Sequence, residues 1–311
     1  MEKNINLRKI SPEEVHQKLT DASEFVLVDV LKEDHFNKAH LPGAINACVF
    51  EVLFIENVNK MVPDKNKVII VYGSSSKSMD ALTAAEKLTR EGYQNVFVME
   101  GGLRQWVDSG MGVVGEDLDL SEQIEKQLKL IDATYSIDIE SSIIEWIGRN
   151  PNTKHYGTIG LSNGEITVRD GQISGNFEID MRSIKNINLE GDELQPVLVN
   201  HLMSDDFFFI KIFPTAKFTI TSAKQIKEAV SSEPNFEIHG ILELRSMKKD
   251  IHFYANASDE QGGEVKIEAH FDIDRTRWGV IYGSTRFFEH LGMHLVFDFI
   301  SVQLRLVASS N

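Results

Sequence analysis

The hydrophobic pattern changes period partway along the chain. Between residues 10 and 110, short apolar runs alternate with helical patterns. FVLVDV (25–30), KVIIVYG (67–73) and NVFVME (95–100) are rich in Val and Ile and apolar nearly throughout, as parallel strands buried on both faces are. SPEEVHQKL (11–19) predicts a helix with Ser11 as N-cap, Pro12 at the first helical position and Glu14 closing a capping box. SKSMDALTAAEKLTREG (76–92) predicts a second helix that stops at Gly92. Strands alternating with helices define an α/β domain with a largely parallel sheet over 1–115.

From Tyr135 onward the period is two. QISGNFEIDM places Ile173, Phe177, Ile179 and Met181 on one face. AKFTITS, NFEIHGILEL, IHFYANA and EVKIEAHFDI repeat the alternation. Turn signals at NG (163–164), DG (170–171) and QGG (261–263) separate the runs, so 134–311 is expected to be an antiparallel sandwich or barrel. A short helix is expected within 193–208. The charged stretch 116–133 reads as a helical linker with Leu120, Ile124, Leu128 and Ile131 on one face.

A length of 311 residues suits two domains. The net charge of −15 is spread along the chain, and no basic tract is present to grip phosphates. Nucleic acid is therefore not expected as a partner, nor is an anionic membrane surface. The N-terminus has no apolar signal core and no run reaches a membrane-spanning length, so a cytoplasmic address without a membrane span is expected. The single cysteine, Cys48, excludes an internal disulfide and a multi-cysteine metal site.

Three motifs of the first domain, VLVDVLKEDHFNKAHLPGAINA (26–47), the loop after VIIVY (68–72) and VMEGGLRQW (98–106), together resemble the rhodanese family. That resemblance implies a loop opening on a cysteine that carries a persulfide, at a helix N-terminus whose N–H groups stabilise the anion. The matching position here is Gly73, in a loop reading GSSSKS. The family's loop arginines are absent, and Leu31 stands where an arginine is usual. Sulfurtransferase or phosphatase activity is therefore not expected. Cys48 lies outside the loop and reads as a buried small residue. Gly73, Ser74, Ser75, Ser76, Lys77 and Ser78 are the candidate anion-binding loop; the competing reading is a polar helix cap without a ligand.

In the second half, TYSIDIESSIIEWIGRN (134–150), GNFEIDMRSI (175–184), HLMSDDFFFIKIFPTAKFTITS (201–222) and FDIDRTRWGVIYG (271–283) resemble the YceI-like family. The resemblance implies a lipocalin-like antiparallel barrel holding a long apolar molecule, such as an isoprenoid lipid or quinone. Many members of that family are exported. The candidate lining is Trp146, Phe177, Ile179, Met181, Phe218, Ile220, Phe253, Phe271 and Trp278, any of which could instead simply pack a solid core.

His290 and His294 are four apart, but Gly292 and a following strand argue against a zinc-binding helical pair, and no metal is expected. Asp272 and Asp274 are expected as outer surface charges paired with Arg275 or Arg277. No nucleophile elbow, P-loop or dinucleotide fingerprint occurs. The leading expectation is a non-catalytic binding protein without an obligatory cofactor. Its expected partners are an apolar small molecule, a protein docked on the first domain, and a second copy of the chain. The alternatives are a sulfurtransferase-related enzyme acting on a small molecule and a purely structural interaction module.

Overall fold

The structure, a computed structural model, describes residues 7–21, 23–115, 128, 131–227, 229–260 (259 and 260 as backbone only) and 264–310. The chain divides into two compact units, 1–124 and 125–311. Most of the expected linker helix, including Leu120 and Ile124, lies outside the described residues, as does the QGG turn.

The first unit runs β1 (Arg8–Ile10), α1 (Pro12–Thr20), β2 (Val26–Asp29), α2 (Glu33–Lys38), β3 (Ile45–Asn46), α3 (Phe54–Met61), β4 (Val68–Tyr72), α4 (Asp80–Arg90), β5 (Asn95–Met99) and α5 (Gly102–Asp108). The five strands form one parallel sheet in the order β1-β5-β4-β2-β3. Successive residues of β4 explain its unbroken apolar run. Ile69 and Val71 pack with Phe54 and Val58 of α3 and with Ala84 and Leu88 of α4. Ile70 and Tyr72 face the other way, onto Val15 of α1 and Leu103 and Trp106 of α5. The α1 capping box forms as the sequence predicts: Glu14 N–H donates to Ser11 Oγ at 3.2 Å, and Ser11 N–H donates to the Glu14 carboxylate at 2.9 Å. α4 starts at Asp80, later than its pattern suggests, because 73–79 form the loop between β4 and the helix.

The second unit runs β6 (Ala133–Ile137), β7 (Ile143–Arg149), β8 (Lys154–Arg169), β9 (Gln172–Asn186), α6 (Leu194–Met203), β10 (Thr215–Gln225), β11 (Phe236–Leu244), β12 (Met247–Glu260), β13 (Glu264–Asp274) and β14 (Phe299–Ser310). Neighbouring strands pair antiparallel from β8 through to β14. β14 and β8 are then bridged by β6 at one end and β7 at the other. Two strands therefore share one of eight positions in a closed, lipocalin-like barrel, and closure leaves no free edge. The β8–β9 hairpin turns at Asp170 and Gly171, both at positive φ (52° and 72°), which matches the twist of the flanking strands. Asn163-Gly164 is not a turn. It lies within β8 beside a bulge between Leu161 and Asn163.

After β13 the chain makes a 3-10 turn at Arg275–Trp278 rather than continuing as strand. Arg275 is buried and donates to the carbonyls of Val280, Val296 and Phe297, which fastens the 279–298 segment to the barrel end. The expected pairing of Asp272 and Asp274 with Arg275 or Arg277 is corrected. Asp274 binds Arg286 at 2.6 Å, and Asp272 accepts from Ser301. Arg275 sits 3.8 Å from Asp298, and Arg277 reaches Asp250. His294 lies in a 3-10 turn, its Nδ1 3.2 Å from the Tyr282 hydroxyl, so it forms no helical pair with His290.

Candidate functional site: the barrel interior and the 73–80 loop

Alternation along the strands sends one side chain in two to the barrel interior. β9 contributes Ile173, Phe177, Ile179 and Met181; β10 contributes Phe218 and Ile220; β12 contributes Ile251, Phe253, Ala255 and Ala257; β13 contributes Val265, Ile267, Phe271 and Ile273. These residues enclose a cavity of about 340 Å³. On β8 the lining extends from His155 to Val168, roughly 40 Å of strand at about 3.3 Å per residue. The cavity therefore follows the barrel for most of its length. At one end α6 and the turn after it supply Leu198, Leu202, Phe207 and Phe208; at the other lie Leu128, Tyr135 and Ala308.

Small residues set the bore. Gly240 of β11 faces the Phe218 ring, and a Cβ built there would stand 2.3 Å from it. Phe253 and Phe271 stack with centroids 4.2 Å apart, and Phe218 leans on both Phe177 and Phe253. Eight of the nine residues named from the sequence, Trp146, Phe177, Ile179, Met181, Phe218, Ile220, Phe253 and Phe271, line this cavity. Trp278 does not. It is wholly buried in the core beside the 3-10 turn, and its indole N–H donates to the Leu242 carbonyl at 2.9 Å. Ile144, Ile166, Ile238 and Leu304 also line the cavity, and the period of two marks them equally well. Arg149, Asn150 and His155 line it too, and no periodic signal marks them.

In the first unit, the loop after β4 sits at the carboxyl edge of the parallel sheet. Its centre is an acid that the sequence reading did not single out. Asp80 is buried, accepts from Ser74 N–H (3.0 Å), Ser74 Oγ (2.9 Å) and Ala81 N–H (2.7 Å), and fills the space beside Gly73. A Cβ at Gly73 would meet the Asp80 carboxylate at 1.9 Å. Ser75 Oγ accepts from Lys77 N–H, and the Gly73 and Ser74 carbonyls accept from Leu103 and Arg104 at the start of α5. Ser76 and Lys77 are exposed, while Ser75 and Ser78 are half-buried. The loop is thus closed around a negative charge of its own. Asp29, at the end of β2, is a second buried acid. Burial raises its pKa to about 6, opposed by the Leu31 N–H, Tyr72 and His40 and supported by the Asp80 charge. Cys48 is buried and free.

A closed barrel with an apolar bore, following an α/β unit with a parallel sheet, defines the class of molecule. The chain belongs to the YceI-like domain family, whose model matches residues 135–308, and the rhodanese-like domain model matches residues 11–109. Over 97 residues the chain is 31% identical to the uncharacterized protein YibN of Escherichia coli K12, a stretch covering 31% of this chain and 66% of that protein, just under two thirds. Among solved structures, Burkholderia cenocepacia BcnA aligns with 56% of this chain and 99% of its own at 17% identity and a TM-score of 0.44. A polyisoprenoid binding domain from Saccharophagus degradans aligns with 58% of this chain and 99% of its own at 12% identity and a TM-score of 0.41. Among the described residues, no helix is long and apolar enough to cross a membrane.

Proposed function

We propose that the chain is a non-catalytic binding protein whose barrel holds one long apolar molecule of isoprenoid type, a lipid or a quinone. On this reading the rhodanese-like unit serves for protein docking or regulation. The observation that carries it is the continuous apolar bore. Its volume falls in the range of small-molecule sites. Each methylene moved from water into such a bore contributes about 0.8 kcal/mol, so a long chain binds with few polar contacts. The description of the Saccharophagus domain as polyisoprenoid binding is consistent with this choice of ligand class. For the first unit, the absence of a thiol at Gly73 and the Asp80 carboxylate packed beside it support a role without sulfur transfer, and they disfavour a bound anion among Ser74–Ser78.

The test is native mass spectrometry of the full-length protein, followed by organic extraction. A bound mass in the prenyl-lipid or quinone range, released on denaturation, is expected. A ligand-free protein that also fails to take up an added prenyl quinone would overturn the carrier role. In parallel, thiosulfate-to-cyanide sulfur transfer is expected at background, and turnover above it would overturn the non-catalytic assignment.

A further inference from the structure

The cavity is not uniformly apolar. Apart from Tyr135 at the far end, its polar side chains, Trp146, Arg149, Asn150, His155 and Arg275, all come from the end where β7 turns into β8. Four of these five are engaged within the fold. Arg149 Nη1 donates to Ser301 Oγ at 2.9 Å, and Asn150 Oδ1 accepts the N–H groups of Asn152 and Thr153. His155 Nδ1 lies 3.3 Å from Asn188 Nδ2, and Arg275 is spent on three carbonyls. The exception is Trp146. Its indole nitrogen is buried and has no hydrogen-bond partner among the described residues.

The other two tryptophans make the contrast sharp. Trp106 donates to the Gly112 carbonyl at 3.0 Å and Trp278 to the Leu242 carbonyl at 2.9 Å. A buried N–H left unpaired is destabilising, and phenylalanine would fill an apolar bore without that penalty. An unpaired donor among polar groups that are otherwise engaged, at one end of a largely apolar bore, is the pattern of a binding pocket in which a few polar groups fix orientation.

We propose that Trp146 is a specificity-determining residue: its indole N–H donates to a carbonyl oxygen of the bound molecule. The ligand is then an apolar chain bearing a carbonyl group, seated with that group at the β7–β8 end and its hydrocarbon running past Phe177, Phe253 and Ile166. This assignment rests on the carrier role and selects within it, against oxygen-free hydrocarbons of equal length. The carbonyl could belong to a quinone ring or to an ester, and both present the same acceptor.

The experiment compares the full-length wild-type protein with Trp146→Phe, using as probes a prenyl quinone, a prenyl ester and squalene, an oxygen-free isoprenoid. Dissociation constants are read from native mass spectrometry occupancies. The wild type is expected to prefer the two carbonyl probes. The variant is expected to bind both about 10-fold more weakly, the size of one hydrogen bond, while squalene changes less than twofold. Loss confined to the quinone identifies the ring carbonyl as the acceptor, and loss confined to the ester identifies the acyl carbonyl. An equal loss for squalene, or no loss for either carbonyl probe, overturns the proposal and leaves the carrier role standing. A wild type that takes up no probe at all removes both. A second readout does not depend on the variant folding well: the Trp146 indole proton is expected to move downfield in the NMR spectrum when a carbonyl probe binds and not when squalene binds. An indole proton indifferent to the carbonyl probes also overturns the assignment.

Discussion

Asp29 shows how one side chain can make a unit sensitive to pH. Its carboxyl is buried at the end of β2, where one oxygen accepts from Leu31 N–H at 2.8 Å. Burial raises its pKa from 3.8 to about 6. The contribution is therefore complete below about pH 3.8, where the folded and unfolded forms are both protonated. It is lost as the pH rises through about 6, at up to about 3 kcal/mol for a shift of this size. Asp29→Asn keeps the acceptor for Leu31 and removes the charge. The variant is expected to hold the first unit more firmly than the wild type at pH 8, with the advantage gone at pH 4. Hydrogen exchange of the β4 amides measures both. At the neighbouring loop, Gly73→Cys places a Cβ where the Asp80 carboxylate lies. It is expected to destabilise the first unit by about 1–3 kcal/mol, the cost of disturbing a buried hydrogen-bonded acid. Calorimetry of the full chain reads that loss, and an unchanged transition would show that the loop accommodates a side chain freely. That residue 73 carries no thiol is a local fact, readable from the sequence. The place of Asp80 is not, since nothing in SKSMD announces that the carboxylate folds back onto the loop before it.

Among the elements, those with strong periods were legible and their ends were not. The parallel strands and α1 were readable because burial on both faces and a capping box each leave a mark in a few consecutive residues. Ser11→Ala removes the cap of α1 and is expected to cost about 1 kcal/mol, measurable as a shift in the urea midpoint of the first unit. The Asn163-Gly164 signal misled because a bulge absorbs the same residues as a turn. Trp278 was named with the barrel lining, whereas the chain leaves the strand at Arg275, whose buried guanidinium donates to three carbonyls, and carries the indole into the core instead. β11 carries a further constraint: Gly240 leaves room for the Phe218 ring. Gly240→Ala forces that ring aside and is expected to destabilise the barrel by about 1–3 kcal/mol; thermal unfolding with and without a bound prenyl quinone would report it.

At the scale of the molecule, on the proposed carrier role, the bore's length sets the longest chain that fits, while Trp146 selects the group at its end. Ala257 lines it on β12 toward the end away from Trp146. Ala257→Phe is expected to shorten the longest prenyl chain retained, seen as a shift of the extracted mass distribution to fewer isoprene units. An unchanged distribution would place the chain elsewhere. The antiparallel β architecture was legible because alternation persists along the strands, whereas the family and the closed barrel were legible only through the resemblance carried by motifs such as HLMSDDFFFIKIFPTAKFTITS and FDIDRTRWGVIYG. The polar end of the bore was not, since Arg149, Asn150 and His155 are gathered by a hairpin whose sequence resembles any other surface turn.

The tryptophans also give the protein a built-in optical gauge. Trp106 and Trp278 are sealed in their cores, with their N–H groups bound to backbone carbonyls. Trp146 alone of the three lines the bore. Any change in indole emission on ligand uptake therefore originates at one site, and a quinone ring resting there would quench it on contact. On the proposed carrier role, filling and emptying of the barrel would be followed in real time, without a label, from this one residue.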